Sequence, residues 1–271
     1  QITGNCWHVN SLGMTMVKIP NGSFTRHDTF LLEQGQTAPV QTVTISHDFV
    51  ISDREVSIEQ FHEFYGDPNC KPEEKPHHWG GQYGHEGQTV DHPIQSVSWF
   101  DSVAFCNWLS RKEGLAQCYE QLGLENWRLV PAANGYRLPT AAEWELACRA
   151  GTTTKYHFGN DTSLLKKYSV YNSSAPEKRG SRMPTRCGLF DMTGNIYEWC
   201  YDWSGPYRLE TPVRDPIGIK QRVGDIDMRA MRGGMYYDPA RTSGSSSRNR
   251  SGPAGRSNYS GFRVARSTSD S

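Results

Sequence analysis

Cysteines are the residues of this chain best suited to soft-metal or redox chemistry. There are seven: Cys6, Cys70, Cys106, Cys118, Cys148, Cys187 and Cys200. No two of them form a Cys-x-x-Cys pair, so a zinc knuckle is not predicted. Because the count is odd, complete internal pairing is ruled out. We therefore expect mostly reduced thiols packed in the core.

Histidines and acids give weaker signals. Four of the nine histidines, His77, His78, His85 and His92, cluster in "HHWGGQYGHEGQTVDH". Imidazoles bind transition metals, but this stretch is rich in glycine, and solvated loop histidines are the interpretation we favour over a metal site. The nearby acids in "GDID" (224–227) indicate an ordinary turn. We find no Ser-His-Asp order and no phosphate loop.

The bulk composition excludes several classes of partner. Lys plus Arg and Asp plus Glu both number 29 in 271 residues, so no global field draws the chain to nucleic acid. No apolar run approaches the roughly 20 residues that span a bilayer. We predict no nucleic-acid binding and no membrane span.

The first third of the chain predicts strands followed by a helix. Residues 14–24 alternate apolar and polar side chains and include an Asn-Gly pair, which predicts a hairpin. Residues 40–51 carry a second β pattern. The period then changes, with Ser57 as a helix cap and Phe61 and Phe64 on the inner face.

Two further helices are predicted, and the rest is short strands and loops. The first has Asp101 as its cap and Gly114 as its stop. The second has Thr140 and Glu143 as a capping box and ends at Gly151. Their inward-facing residues are predicted to be Ala104, Phe105, Trp108 and Leu109 in the first helix and Trp144 and Ala147 in the second. Few helices in a loop-rich chain without an internal linker predict one α+β domain over residues 1–271.

Several motifs occur in one order along the chain and together resemble a known family. They are "DHPIQSVSWFDSVAFCNWLS" (91–110), "YRLPTAAEWELACRAGTTTKYHFGN" (136–160), "CGLFDMTGNIYEWCYDW" (187–203), "MRGGMYY" (231–237) and "SGFRVAR" (260–266). The chain resembles the formylglycine-generating-enzyme-like domain, also called the sulfatase-modifying-factor domain, from about Gly13 to Arg266. This resemblance implies a variant of the C-type lectin fold, with Trp108, Trp144 and Trp199 in its core.

The resemblance does not extend to the copper chemistry of formylglycine-generating enzyme. That enzyme holds Cu(I) with two cysteines after its Arg-Gly-Gly motif, and those positions fall on Asp238 and Ser243 here. A carboxylate and a hydroxyl do not replace two soft ligands. The family's disulfide from Cys148 is also absent, since its partner position is Val264. The iron-dependent relatives carry a His-x3-His-x-Glu motif that this chain lacks. We expect no copper and no cysteine oxidation.

A structural calcium ion is implied by "DMTGNIYEW". The family binds Ca²⁺ there through the side chains of Asp191 and Glu198 and the carbonyls of Gly194 and Ile196. Such hard oxygen ligands suit Ca²⁺. In the alternative, Asp191 caps the turn and Glu198 pairs with an arginine.

Residues 232–266 are implied to form an exposed ligand face. In this interpretation Arg248, Arg250 and Arg256 belong partly to the scaffold. The side chains between them point outward and contact an unknown protein or small-molecule ligand, and this mixture is also typical of antibody paratopes. The predicted ligand-binding residues are Tyr237, Asp238, Thr242, Ser243, Ser245, Ser247, Asn249, Ser251, Ser257, Asn258 and Tyr259.

The composition of residues 235–260 suggests a further hypothesis. Some members of this fold are variable proteins of diversity-generating retroelements, which mutate adenines in template codons, often the Asn codon AAC. The products of that codon never include Lys, Glu, Gln, Met or Trp. By composition about four Lys, Glu, Gln or Trp residues are expected in these positions, and none occurs. Met235 is an exception and must be a fixed position. Undiversified family members are also rich in Arg, Ser and Asn here, so both interpretations stay open.

These observations predict a non-catalytic binding module. The alternatives are an oxidoreductase of the same family that uses residues other than cysteine, and a structural paralogue that acts through a partner protein.

Overall fold

Short strands and a few helices account for the regular structure, as the sequence predicts for an α+β domain. The computed structural model describes residues 6–27, 37, 40–70, 72–76, 87–123, 126–207, 211–219, 222–223 and 226–268. Its α-helices are α1 (Ile58–Gly66), α2 (Trp99–Lys112), α3 (Ala141–Arg149) and α4 (Leu165–Tyr168). Its strands are β1 (Trp7–Val9), β2 (Thr15–Ile19), β3 (Gly22–Arg26), β4 (Gln41–Ile45), β5 (Phe49–Ser52), β6 (Tyr119–Gly123), β7 (Asn126–Leu129), β8 (Tyr136–Arg137), β9 (Tyr197–Trp203), β10 (Val213–Arg214), β11 (Arg222–Val223), β12 (Ile226–Asp227), β13 (Arg229–Arg232), β14 (Asn249–Ser251), β15 (Ser260–Gly261) and β16 (Ala265–Ser267).

Two sheets bring distant parts of the chain together. The five-stranded sheet has the order β1-β2-β5-β16-β8, so the last strand lies between strands of the first half. Ala265 of β16 is opposite Ile51 on one side and Arg137 on the other. The four-stranded sheet has the order β14-β13-β9-β15, in which β15 runs parallel to β9. This second sheet contains β14 and β15, two strands from the C-terminal part of the chain.

The remaining strands form smaller sheets, and one of them corrects a prediction. Strands β10, β4 and β3 form a three-stranded sheet, while β6 with β7 and β11 with β12 form separate pairs. The hairpin predicted over residues 14–24 is therefore wrong. Strand β2 pairs with β1 and β5, whereas β3 pairs with β4, because each is drawn to a different sheet by partners distant in sequence.

Local capping signals fix where the helices begin. Ser57 caps α1 and Thr140 caps α3, as predicted. Both lie in complete capping boxes, of which the sequence predicted only the one at Thr140. In α2 the cap is Ser98, three residues before the predicted Asp101. The carboxylate of Asp101 instead accepts a hydrogen bond from the N–H of Ser98. No helix among the described residues is long and apolar enough to cross a membrane.

Aromatic side chains fill much of the core. Phe105 packs edge-on against Phe262 with ring centroids 5.3 Å apart, and it stacks on Phe61 at 5.9 Å. The predicted core tryptophans Trp108, Trp144 and Trp199 are all buried. All seven cysteines are thiols, and Cys6 is the exposed one. Burial raises the pKa of Cys148 to about 11, so this thiol stays protonated at neutral pH.

One buried ion pair connects four parts of the fold. Arg263, just before β16, donates from Nε and Nη2 to the two carboxylate oxygens of Glu198 on β9, at 2.6 and 2.7 Å. Trp144 of α3 donates to the same carboxylate at 2.8 Å. Arg263 also donates to the carbonyls of Ser52 at 3.1 Å and Phe190 at 3.0 Å. Since both charges are fully buried, each depends on the other for its solvation.

Removing the charge of Arg263 should therefore destabilise the protein strongly. Arg263→Met keeps a long side chain but leaves Glu198 as an unpaired buried charge, and we expect a loss of about 3–5 kcal/mol in the free energy of unfolding in urea. Arg128→Met is the matched control, because its partner Glu120 is about half exposed, and it should cost less than about 1 kcal/mol. Equal losses in the two variants would contradict the role given to the buried pair.

Candidate binding face and former copper position

The C-terminal segment, defined here as residues 235–260, leaves β13 through two glycines in left-handed conformations. Gly233 and Gly234 have φ angles of +96° and +87°. At Gly234 an added Cβ would also lie 3.0 Å from Ser243 Oγ. Glycine is therefore required at Gly234 both for its backbone angle and for the close approach of Ser243.

The side chain of Arg232 holds the serine-rich part of the C-terminal segment by donating to backbone carbonyls of that segment. Its guanidinium donates to the carbonyl of Ser245 at 3.0 Å and to that of Ser247 at 2.8 Å. A 2.6 Å ion pair with Glu145 of α3 fixes the guanidinium in place, and both side chains are buried. The segment is thus anchored to the scaffold through backbone carbonyls, which are present whatever the side chain.

Two more main-chain anchors come from the region that follows α3. The hydroxyl of Tyr156 donates to the carbonyl of Ala240 at 2.7 Å. The N–H of Ser245 donates to the carbonyl of Lys155 at 2.9 Å. Because the main chain is held at several points, this low-complexity stretch has a defined conformation.

Asp238 and Ser243, which the resemblance places at the copper-binding positions of formylglycine-generating enzyme, both lie beside Gly234. An added Cβ at Gly234 would lie 3.0 Å from Ser243 Oγ and 3.5 Å from Asp238 Oδ2. Tyr197 donates its hydroxyl to Asp238 Oδ2 at 2.6 Å. Burial and this hydrogen bond raise the pKa of Tyr197, so the phenol stays protonated and acts as a donor. The site therefore offers a carboxylate and a hydroxyl, which are hard groups unsuited to Cu(I).

Three of the predicted ligand-binding residues are not on the surface. Asp238, Ser243 and Ser245 are buried, so the prediction that their side chains point outward is wrong. Asp238 accepts hydrogen bonds from the Tyr197 hydroxyl and from the N–H of Met235, while Ser243 and Ser245 are fully buried. Of the remaining predicted residues, Tyr237 and Asn258 are exposed, and the half-exposed ones are Thr242, Ser247, Asn249, Ser251, Ser257 and Tyr259.

The arginines of the segment belong to the scaffold only in part. Arg248 donates to the carbonyl of Gly205 at 2.5 Å, and Arg256 donates to Asp101 at 2.9 Å. Both side chains, like that of Arg250, are half-buried, whereas Arg263 is fully buried. The predicted division between supporting arginines and outward small residues is therefore less sharp than expected.

The predicted calcium ligands fit a metal ion only in part. Glu198 does not fit, because both of its oxygens are bonded to Arg263. Asp191 fits in part: its Oδ2 accepts from the N–H of Gly180 at 2.6 Å, and its carboxyl also forms a side-chain hydrogen bond with that of Glu55. Among the residues that the structure describes, no three His, Cys, Asp or Glu side chains are grouped to hold a metal. Calcium at Asp191, Gly194 and Ile196 stays a prediction.

A second acid near Asp191 was missed by the sequence analysis. Glu55 is fully buried, and its carboxyl forms a side-chain hydrogen bond with that of Asp191. Burial raises the pKa of Glu55, and the charges of Asp191 and Glu198 raise it further. Nothing in "DREVS" distinguishes this glutamate from a surface residue, since only the tertiary fold brings it to Asp191.

The histidine cluster is described only at its end. His77, His78 and His85 lie outside the described residues. His92 is buried, and its Nδ1 accepts from the N–H of Thr89 at 3.0 Å. Burial lowers the pKa of His92, which keeps the ring neutral in this structural role.

A comparison with known proteins identifies the same family as the sequence motifs do. Residues 8–268 match the family described as the sulfatase-modifying factor enzyme 1-like domain. The chain belongs to this family. It is 28% identical over 206 residues to the chaperone protein LppX of Paenibacillus barcinonensis, covering 64% of this chain and 67% of that protein.

Members of the sulfatase-modifying factor family differ in activity, and this chain is similar to more than one kind. It is 30% identical over 164 residues to the formylglycine-generating enzyme of Streptomyces coelicolor, which is 54% of this chain and 42% of that enzyme. Among solved structures it resembles Treponema denticola variable protein 1, with a TM-score of 0.80, 26% identity, and coverage of 98% of this chain and 100% of that one. Family membership therefore fixes the fold, while the site residues distinguish the functions.

The hard groups at the former copper position predict that the protein does not convert cysteine to formylglycine. A peptide with a sulfatase cysteine motif, incubated with the protein and Cu(I), should show no loss of thiol by mass spectrometry, because Asp238 and Ser243 offer no soft ligands. The Streptomyces coelicolor enzyme is the positive control. Turnover above a buffer blank would contradict the prediction.

Calcium should raise the melting temperature through Asp191. An ion that binds only the folded state stabilises it by about 2.7 kcal/mol at a hundredfold excess over its dissociation constant. Asp191→Asn should remove the response, while Asp161→Asn, on the surface, should keep it. Glu198→Gln is unsuitable as a probe because it also breaks the pair with Arg263. A wild-type melting temperature that is equal in calcium and in chelator would count against the ion.

Proposed function

We propose that this protein is a non-catalytic binding module whose C-terminal segment contacts a protein partner. The observation that carries the proposal is how the segment is held. Arg232, Tyr156 and Lys155 bond its backbone carbonyls or N–H groups and not its side chains. A surface held by its main chain accepts new side chains without losing its shape, which suits a recognition surface.

The exposed residues have the chemistry of a contact surface. Tyr237 is 69% exposed, which makes it the most exposed of the large apolar or aromatic side chains in the described part of the chain. Asn258 is exposed, and the ring of Tyr259 packs edge-on against that of Tyr197 with their centroids 6.2 Å apart. Tyrosines supply large contact areas at a low cost in conformational entropy, and small polar neighbours adapt to the partner.

We further propose that the segment is diversified, as in a variable protein of a diversity-generating retroelement. The absence of Lys, Glu, Gln and Trp from residues 235–260 supports this. The overall similarity to Treponema denticola variable protein 1 supports it as well. The main-chain anchors at Ala240, Ser245 and Ser247 remain when side chains are mutated. Asp238, Arg248 and Arg256 hold the segment by their side chains, so diversification requires these three to be fixed positions.

Changing the exposed side chains should separate binding from folding. A variant with Tyr237→Ala and Asn258→Ala, the two exposed residues of the predicted set, should keep its stability within about 1 kcal/mol in urea unfolding. Peptides selected from a phage library on the wild-type protein should lose most of their affinity for this variant, because exposed tyrosines are frequent hot spots.

The control carries alanines at exposed apolar residues elsewhere, Trp7 and Met183. Selected peptides should bind this control as they bind the wild type. If peptides bind both variants equally, the C-terminal segment is not the recognition surface. For diversification, the gene neighbourhood should contain a reverse transcriptase and a near-repeat of codons 235–260 that differs only at adenines.

A further inference from the structure

A cavity of about 180 Å³ lies where two hydrophobic clusters of the core meet. Leu129 and Leu138 line it from the cluster that contains α2, and Ile45 lines it from the cluster that contains α3. Ile217, which follows β10, also lines the cavity and is 50% exposed. The cavity therefore opens to solvent beside Ile217.

The volume of this cavity limits the size of its ligand. An engineered cavity of about 150 Å³, lined by leucine, isoleucine and phenylalanine in another protein, stays dry and binds benzene. The present cavity is slightly larger and has leucine and isoleucine in its wall. It is smaller than the pockets of about 300–1,000 Å³ that hold drug-sized ligands. A benzene-sized ring with a small alkyl group therefore fits it.

The charged side chains that line the cavity are paired with one another. Glu143 accepts from Arg137 at 2.6 and 2.7 Å, and its Oε1 lies 3.0 Å from His47 Nε2. The other ring nitrogen of His47 lies 3.5 Å from Asp215 Oδ1. The hydrogen bond to Glu143 raises the pKa of His47, which favours the charged ring. Two positive and two negative groups thus balance, so the wall selects neither an anion nor a cation.

The hydroxyl groups that line the cavity also bond within the protein. The Ser267 hydroxyl accepts from Arg137 at 3.1 Å, and the Thr140 hydroxyl accepts from the N–H of Glu143 at 3.1 Å. The Tyr201 hydroxyl is hydrogen-bonded to the backbone of β7. A ligand with a hydroxyl or a charge of its own would lose hydration here without gaining an equivalent partner. The lining therefore favours a neutral, apolar ligand.

We propose that this cavity binds a small neutral apolar molecule, of the size of a benzene ring with an alkyl group. The ligand packs on Ile45, Leu129 and Leu138 and covers part of Ile217. Removal of apolar surface from water on both ligand and protein supplies the affinity. The residues that line the cavity all lie outside the C-terminal segment, so this inference does not rest on the proposed function.

Isothermal titration calorimetry on the full chain tests the proposal with toluene as the probe. The wild type should bind toluene saturably. Phenol, in which a hydroxyl replaces the methyl group, should bind about tenfold more weakly, because that hydroxyl gains no partner that replaces water. Benzoate, which has the same ring and a charge, should show no saturable binding at the concentrations that saturate with toluene.

Two substitutions locate the binding in this cavity. Leu129→Trp should abolish toluene binding, because the indole fills the space. Leu122→Trp is the matched control, since Leu122 lies on the neighbouring strand β6 and is exposed, and it should bind toluene as the wild type does. Ile217→Ala removes part of the apolar wall at a half-exposed position and should weaken binding about three- to tenfold. This last variant decides the matter if the melting curve of Leu129→Trp shows that it does not fold.

Three outcomes overturn the proposal. The first is absence of saturable toluene binding to the wild type, and the second is binding of phenol or benzoate as tight as that of toluene. The third is an unchanged affinity for toluene in folded Leu129→Trp or, where that variant does not fold, in Ile217→Ala.

Discussion

Pairing of arginine with carboxylate in the interior is the interaction on which this structure depends. Glu198 and Arg263 are fully buried and satisfy each other with two hydrogen bonds, while Trp144 and nearby carbonyls occupy the remaining positions. Regular secondary structure satisfies only part of the backbone in a chain with so many loops. A guanidinium, with five donors, bonds several loop carbonyls at once and so replaces a missing strand or helix.

Arg232 extends the same arrangement to the surface. Its ion pair with Glu145 is buried, yet its other donors reach the carbonyls of the serine-rich stretch. The guanidinium of Arg232 thus belongs to the core and also fixes the main-chain conformation of the serine-rich stretch. The segment is held by its main chain at Ser245 and Ser247 and by side-chain contacts at Asp238 and Arg256.

The sequence predicts the parts of the fold that depend on neighbours in the chain. The capping boxes at Ser57 and Thr140 need only residues three positions apart, and both are found. The pairing of β2 and β3 could not be read in this way, because a good turn signal does not reveal a stronger partner that is distant in sequence. At the site, the assignment of Asp238 and Ser243 to the copper-binding positions comes from the resemblance to formylglycine-generating enzyme. The burial of Asp238, Ser243 and Ser245, and the presence of Glu55 near Asp191, depend on tertiary contacts and gave no local signal.

The position of β16 has a consequence for how the protein is made. Ser267 pairs with Phe49, and Arg263 donates to the carbonyl of Ser52, so residues 263–267 join β5, which lies more than two hundred residues earlier in the chain. Such distant contacts raise the contact order and slow folding, since a long loop must close before they form. During synthesis β16 is absent from its place between β5 and β8 until residues 265–267 have been translated. Until then the nascent chain exposes the edges of β5 and β8, and pairing with another chain competes with correct closure.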